Sequence, residues 1–237
     1  MTQALVTGAT SGIGRAIALT LHQAGHEVIA VGRRAEALAE LEAQGIKGLQ
    51  LDLADPAAMD ALAGLTPDIL INNAGMMPPM VNFCDLPEEE ITRAITVNLT
   101  SAMQVTRAIA PGMRQRGRGH IFFTGSTAGH APFANLAVYC ATKAAIGGFA
   151  QALRLDLAPH DVRVTEIVAG RVESGLYRDL LSEEARAKMY AGNTAVQPQD
   201  VAEMVLSIWN LPRAVDVARF DILPTYQATS TGAQDKK

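Results

Sequence analysis

Gln3-Ala4-Leu5-Val6-Thr7-Gly8-Ala9-Thr10-Ser11-Gly12-Ile13-Gly14 runs from an apolar strand through a glycine-rich turn into a helix. Gln3–Thr7 reads as a buried strand, and the helical periodicity beyond the turn continues to about Ala24. Gly8, Gly12 and Gly14 allow a tight bend and a close approach of backbone to a ligand. The helix that starts there presents unpaired N–H groups and the positive end of its dipole. A strand, a bare turn and a helix N-terminus in that order make a pyrophosphate site. The spacing is G-x-x-x-G-x-G, not the commoner G-x-G-x-x-G.

Outward from this turn, short apolar runs alternate with longer helical segments. Further strands are expected at Glu27–Val31, Lys47–Leu51, Ile69–Asn72, His120–Thr124 and Val162–Val168, with a seventh at Ala218–Leu223. Helices are expected over Ala35–Gln44, briefly after Pro56, and over Pro87–Arg114 and Val138–Leu157. Strands apolar on both faces and separated by helices predict a parallel sheet covered on both sides. Right-handed crossovers make it doubly wound. The expected fold class is α/β, a single-domain, Rossmann-like sheet with helices on both faces. No repeat or linker divides residues 1–227, and the polar segment 228–237 reads as a disordered tail.

Composition narrows the function classes. Of 237 residues, 49% are hydrophobic and 19% charged, enough for a sizeable core. A net charge of −4 gives no footprint for nucleic acid. Arg114, Arg116 and Arg118, interrupted by Gly117 and Gly119, read as a solvated turn. Cys84 and Cys140 form no C-x-x-C pair and read as free thiols in a reducing compartment. No signal-peptide pattern is visible, and no apolar run reaches the ~20 residues of a membrane span. A cytoplasmic protein with no membrane partner is expected. His22, His26, His120, His130 and His160 show no metal-ligand spacing, so no metal is expected.

The second strand leads into Val31-Gly32-Arg33-Arg34. An NAD site usually carries an acidic residue there for the ribose hydroxyls. An acid repels a 2′-phosphate, whereas a guanidinium holds it through charge-assisted bonds. Arg33 and Arg34 therefore point to NADP.

Tyr139-Cys140-Ala141-Thr142-Lys143 places a phenol and an ammonium at i and i+4 on one helix face. The nearby cation is expected to lower the tyrosine pKa and make it a general acid/base. Thirteen residues earlier, Ser126 lies in Thr124-Gly125-Ser126-Thr127-Ala128-Gly129, at the end of the fifth strand. Ligands of doubly wound sheets bind at that edge, where a hydroxyl can donate to a substrate carbonyl. Asn72-Asn73-Ala74-Gly75 ends the fourth strand at the same edge. Asn98 is polar within an otherwise apolar helix; it is either a partner for backbone groups or part of a proton relay.

Together, T-G-x-x-x-G-x-G, N-N-A-G, an in-helix Asn and a Ser thirteen residues before Y-x-x-x-K resemble the short-chain dehydrogenase/reductase family across nearly the whole chain. The resemblance implies hydride transfer between NADP(H) and the carbon of an alcohol or ketone. It implies that Ser126 polarises the carbonyl and Tyr139 donates the proton. Lys143 would hold the nicotinamide ribose, and Asn98 would position a water linking Lys143 to solvent. Thr7, Gly8, Ser11, Gly12, Ile13 and Gly14 would cradle the phosphates. Asp52 and Leu53 would meet the adenine, and Asn73, Ala74 and Gly75 the adenosine ribose. Gly170 and Val172 would stand beside the nicotinamide, with Ala169-Gly170 where the family usually has Pro-Gly. The resemblance also implies a homo-oligomer, a dimer or tetramer, paired through its two long helices. Gly-Arg-Arg, Gly-Ser-Thr-Ala-Gly and the ending Phe220–Gln227 are similar to the NADP-dependent 3-hydroxy-acid (serine-type) subgroup. A broad ketone/aldehyde reductase or biosynthetic ketoreductase is the alternative. A non-catalytic dinucleotide sensor would be expected to lack the tyrosine or the lysine.

For the substrate, Arg171, Arg178, Arg186 and Lys188 follow the sixth strand among few large apolar residues. This segment reads as a lid over a small, polar, anionic compound, with Arg178 preferred over Arg171 as the anion's partner. Met76, Met77 and Met80 line its mouth or pack, His130 borders it or lies on the surface, and Cys140 packs into the core.

Overall fold

The computed structural model describes residues 2–178, 180–192 and 194–226. Seven strands form one sheet: β1 (Gln3–Thr7), β2 (Glu27–Gly32), β3 (Lys47–Gln50), β4 (Ile69–Asn72), β5 (Gly119–Thr124), β6 (Val162–Ala169) and β7 (Arg219–Ile222). All pairings are parallel, in the order β3-β2-β1-β4-β5-β6-β7. The order reverses between β1 and β4, which opens a crevice at their carboxyl ends.

The helices are α1 (Gly12–Gln23), α2 (Ala35–Glu42), α3 (Glu88–Ile95), α4 (Ser101–Arg116), α5 (Ala137–Leu157), α6 (Glu183–Tyr190) and α7 (Pro198–Trp209). Strand alternation sorts the core into two layers. In β1, Ala4 and Val6 join the layer under α1, α2 and α7, while Leu5 joins the layer under α4 and α5. In β4, Ile69 and Ile71 face the first layer and Leu70 the second. Each fully buried Leu or Ile contributes roughly 1.5–3 kcal/mol. Among the described residues, no helix is long and apolar enough to cross a membrane.

Several expectations are corrected. The helix expected over Pro87–Arg114 is α3, a π turn at Thr96–Thr100, then α4. One wide turn there lets Asn98 face the sheet and bond backbone across the crevice; such turns concentrate at functional sites. Of the arginines at the end of α4, Arg114 and Arg116 are exposed as a solvated turn requires, but Arg116 and Arg118 are also tied down. Arg118 pairs with Asp68 at 3.2 Å, and Arg116 donates to the Pro67 carbonyl at 2.8 Å. His120, one of the histidines without metal-ligand spacing, is a core residue. It is fully buried, stacked on Phe122, with Nε2 2.7 Å from the Thr165 hydroxyl. Burial pushes its pKa well below the ordinary histidine value, so the ring is neutral. The segment 228–237 lies outside the described residues.

Candidate active site

The glycine-rich turn is fixed by contacts that exclude side chains. Gly8 and Gly12 have φ of +63° and +52°. A Cβ on Gly14 would lie 2.4 Å from both Asn73 Nδ2 and the Gly8 carbonyl oxygen. Ser11 caps α1 without a side-chain hydrogen bond, which leaves the leading N–H groups of that helix for a ligand. This cradle fits the diphosphate of a dinucleotide. The Ala9 N–H donates to the Val31 carbonyl at 3.0 Å and ties the turn to β2. Arg33 and Arg34 follow directly. Arg34 donates to the Thr10 carbonyl, and Arg33 Nη1 lies 3.9 Å from Asp52 Oδ2, with both of those side chains exposed. Leu53, beside Asp52, is buried.

Thr7 is engaged within the protein. It is buried, and its hydroxyl donates to the Ile71 carbonyl while accepting from the Asn73 and Ala74 N–H groups. The Asn73 side chain in turn donates to the Thr7 carbonyl at 3.2 Å and accepts from the Thr124 hydroxyl at 3.2 Å. A hydrogen-bonded belt thus crosses the carboxyl ends of β1, β4 and β5. Its last member reaches α5, because Lys143 Nζ donates to the Thr124 carbonyl at 2.8 Å.

The sheet edge and α5 bring Ser126, Tyr139 and Lys143 together. Ser126 caps a short 3-10 turn, with its Oγ accepting from the Ala128 N–H at 3.1 Å. Tyr139 is 5% exposed and packs with Met77, Ala128 and Cys140. Lys143 Nζ lies 5.8 Å from the Tyr139 ring centroid. The expected lowering of the tyrosine pKa by this lysine is not what the geometry gives. Burial raises the Tyr139 pKa far above its ordinary value, and the Ser126 hydroxyl opposes that only in part. Lys143, also buried, is pulled down to about 8, mainly by desolvation.

Asn98 holds backbone. Its Oδ1 accepts from the Met76 N–H at 2.7 Å, and its Nδ2 donates to the Met76 carbonyl at 2.9 Å and to Thr142 Oγ1 at 3.2 Å. A Cβ on Gly75 would sit 3.4 Å from Asn98 Oδ1 and 3.8 Å from Lys143 Nζ, so Gly75 faces both. β6 runs through Ala169, and the Gly170 N–H donates to the Ile222 carbonyl at 2.9 Å. Strand pairing therefore fixes the chain where a proline ring usually stiffens it. Val172 is buried and bridges Val196.

The segment between Val172 and Val196 is closed at its base by that bridge, with Glu173 N–H to Val196 carbonyl 2.9 Å and Val196 N–H to Arg171 carbonyl 2.8 Å. It is more apolar than expected where it meets the site. Leu176, Tyr177 and Leu180 join Met80 and Leu136 in packing around Tyr139. Sequence counting missed this because it does not show which residues of the segment meet the site, and those are Leu176, Tyr177 and Leu180. Arg171 donates to the Met189 carbonyl at 3.2 Å, and Arg178 is exposed beside Gly175. His130 turns from the substrate side to Glu166, with Nε2 3.0 Å from Oε1. Cys140 is buried, as expected.

Two participants were overlooked. Tyr177 stands close enough to Tyr139 to disfavour its phenolate. Glu166 is 1% exposed within the fully buried β6. Its signal was present in the sequence: a lone carboxylate amid an apolar strand needs a buried reason.

Comparison with known proteins agrees with this geometry. The short chain dehydrogenase family model matches residues 2–185. An uncharacterized short-chain type dehydrogenase/reductase of Sinorhizobium fredii is 46% identical, over 99% of this chain and 95% of that protein. The NADP-dependent 3-hydroxy acid dehydrogenase of Escherichia coli K12 is 38% identical, over 94% of this chain and 95% of that one. The closed form of a serine dehydrogenase complexed with NADP+ superposes with a TM-score of 0.92 at 36% identity, covering 99% of this chain and 100% of that one. Actinorhodin polyketide ketoreductase with NADPH superposes at 0.84 with 31% identity, covering 94% and 96%. With a family model across most of its length and relatives aligned nearly end to end, the chain belongs to the short-chain dehydrogenase/reductase family.

Proposed function

We propose that this chain is an NADP(H)-dependent oxidoreductase acting on the CH-OH or C=O carbon of small hydroxy compounds, with 3-hydroxy acids as its substrate class. The carrying observation is that Ser126, Tyr139 and Lys143 meet at the crevice to which the belt through Thr7, Asn73 and Thr124 connects the glycine cradle. Residues 1–227 form the one catalytic domain in this reading. NADP(H) supplies or accepts the hydride when bound. Ser126 donates a hydrogen bond to the carbonyl oxygen, and Tyr139, protonated at neutral pH, delivers the proton in the reducing direction. Lys143 holds the nicotinamide ribose, Gly170 and Val172 flank the nicotinamide, and Asn98 holds Met76 in place beside them. The names of the E. coli relative and the serine dehydrogenase support the cofactor and substrate class.

The test is NADP+-linked oxidation of serine and 3-hydroxypropionate-type acids against their neutral alcohol analogues. The acids are expected to have the higher kcat/KM, and Arg178→Ala is expected to narrow the gap. The apolar wall of Met77, Met80, Leu176 and Leu180 favours a second reading, a broad ketone/aldehyde reductase. Consistently better neutral substrates would establish that reading instead.

The cofactor preference rests on Arg33, since Arg34 is anchored on the glycine-rich turn. Its exposed pairing with Asp52 at 3.9 Å is weak and yields readily to a phosphate. A charge-assisted bond contributes about 1.5–3 kcal/mol, roughly 10- to 100-fold in affinity. Arg33→Ala is expected to weaken NADPH binding by that factor and to leave NADH binding nearly unchanged. Equal affinities for the two cofactors in the unmutated protein would overturn the assignment.

Lys143 gives the reaction a pH dependence. Its folded value of about 8 means that the ammonium is present below that pH and lost above it. Carbonyl reduction with saturating NADPH is expected to fall along a high-pH limb beginning near there, read from kcat against pH. A cytoplasmic homotetramer completes the proposal. Ile95 on α3 and Leu155 on α5 are exposed, at 41% and 70%, on the long helices that would pair. Light scattering is expected to return the mass of four chains.

A further inference from the structure

Against the loop that carries Ser126 lies a carboxylate that no step above uses. Glu166 sits in β6 between Phe123 of β5 and Arg219 of β7. Arg219 pairs with Asp221 at 2.9 Å. The hydrogen-bonding partner of Glu166 is His130, and its second oxygen, Oε2, has none among the described residues. An unmatched buried carboxylate is costly, and a fold that keeps one has a use for its charge.

Two glycines make room for it. A Cβ on Gly125 would lie 2.5 Å from Glu166 Oε1, and a Cβ on Gly147 would lie 3.1 and 3.2 Å from the two oxygens. Gly125 stands between Thr124, whose carbonyl receives Lys143, and Ser126. Gly147 lies one turn beyond Lys143 on α5. The carboxylate is therefore wedged between the loop that carries Ser126 and the helix that carries Tyr139 and Lys143.

We propose that Glu166, oriented by His130, is a positioning residue that braces this loop against α5 and supplies the countercharge for the buried Lys143 ammonium. The titratable groups that face Lys143 are Glu166 from β6 and Tyr139 from its own helix; those that face Glu166 in turn are His130 from the loop after β5 and, across the strand pairing, Arg219 from β7. Asn98 and Thr142, also nearby, are neutral. Of these, Glu166 opposes the desolvation that lowers the Lys143 pKa. His130, with 31% of its side chain exposed, connects the pair to solvent. The inference rests on the assignment of Lys143 to the site, and its test separates the two.

The chain has few lysines (Lys47, Lys143, Lys188, Lys236 and Lys237), so NMR of protein labelled with 13C at the lysine ε-carbon can follow each one. The Lys143 signal is identified by its loss in Lys143→Ala. In the unmutated protein without cofactor it is expected to titrate near pH 8. In Glu166→Gln, which keeps shape and removes charge, the midpoint is expected to fall by about one pH unit or more. The high-pH limb of kcat is expected to move down with it, and Glu166→Asp to restore both. His130→Asn, at a partly exposed position that should fold in any case, is expected to give a smaller fall in the same direction. A Lys143 midpoint unmoved in Glu166→Gln, or in His130→Asn if the glutamine variant does not fold, overturns the proposal. A midpoint that moves while Lys143→Ala keeps full activity upholds the pairing and instead overturns the role given to Lys143.

Discussion

Tyr139→Phe is expected to abolish most turnover while leaving the fold and cofactor binding intact. The ring is packed among Met77, Ala128 and Cys140, and phenylalanine fills the same space. What is lost is the proton. The phenol carries its proton at neutral pH, so the residue can deliver it to the oxygen that hydride transfer leaves negative. A missing general acid costs about 10²–10⁴-fold in rate. The check is kcat in the NADPH-linked direction, with the melting temperature and NADPH affinity measured on the same sample. Half the original rate in a folded variant would remove Tyr139 from the mechanism.

Gly14→Ala is expected to be as severe by a different route. The new methyl would sit 2.4 Å from the Gly8 carbonyl oxygen, which is backbone and cannot rotate aside, and 2.4 Å from Asn73 Nδ2. The first turn of α1 must then move away from β1, and the N–H groups aimed at the diphosphate move with it. Losing two charge-assisted bonds costs about 3–6 kcal/mol, or on the order of 10²–10⁴-fold in affinity. Overpacking adds about 1–3 kcal/mol of destabilisation. Isothermal titration with NADPH reads the first effect and thermal unfolding the second. An alanine variant that binds NADPH as tightly as the original would show that the phosphates lie elsewhere.

The parallel sheet was legible because both of its signals are local. Gln3–Thr7 and Ile69–Asn72 are apolar on both faces, and each glycine of the turn marks a place where backbone approaches backbone. Ser126, Tyr139 and Lys143 were legible from spacing, because β5 and α5 are consecutive and one short loop joins them. What stayed hidden depends on partners far apart in the chain. The π turn at Thr96–Thr100 follows from Asn98 bonding Met76, twenty-two positions earlier. The pairing of His130 with Glu166 spans thirty-six positions. The lid misled a reading by composition, since a count of charges does not show that Leu176, Tyr177 and Leu180 are the residues that pack against the Tyr139 cluster. The tyrosine pKa was misjudged because i, i+4 spacing places two groups on a helix face and says nothing of how deeply that face is buried.

The two walls of the crevice differ in how they are built, and that bears on how such a protein can change. The sheet-side wall is made of close approaches to backbone at Gly8 and Gly14 and to the buried Glu166 at Gly125 and Gly147, where an added methyl meets atoms at 2.4–3.1 Å. The lid-side wall is made of Met77 and Met80 from the loop after β4, and of Leu176 and Leu180 from the segment pinned at Val172 and Val196, all long side chains that can repack. Mutational tolerance is therefore one-sided. New substrate preferences can accumulate along the lid while the hydride-transfer apparatus stays frozen behind it, and directed evolution of this scaffold has its productive libraries there.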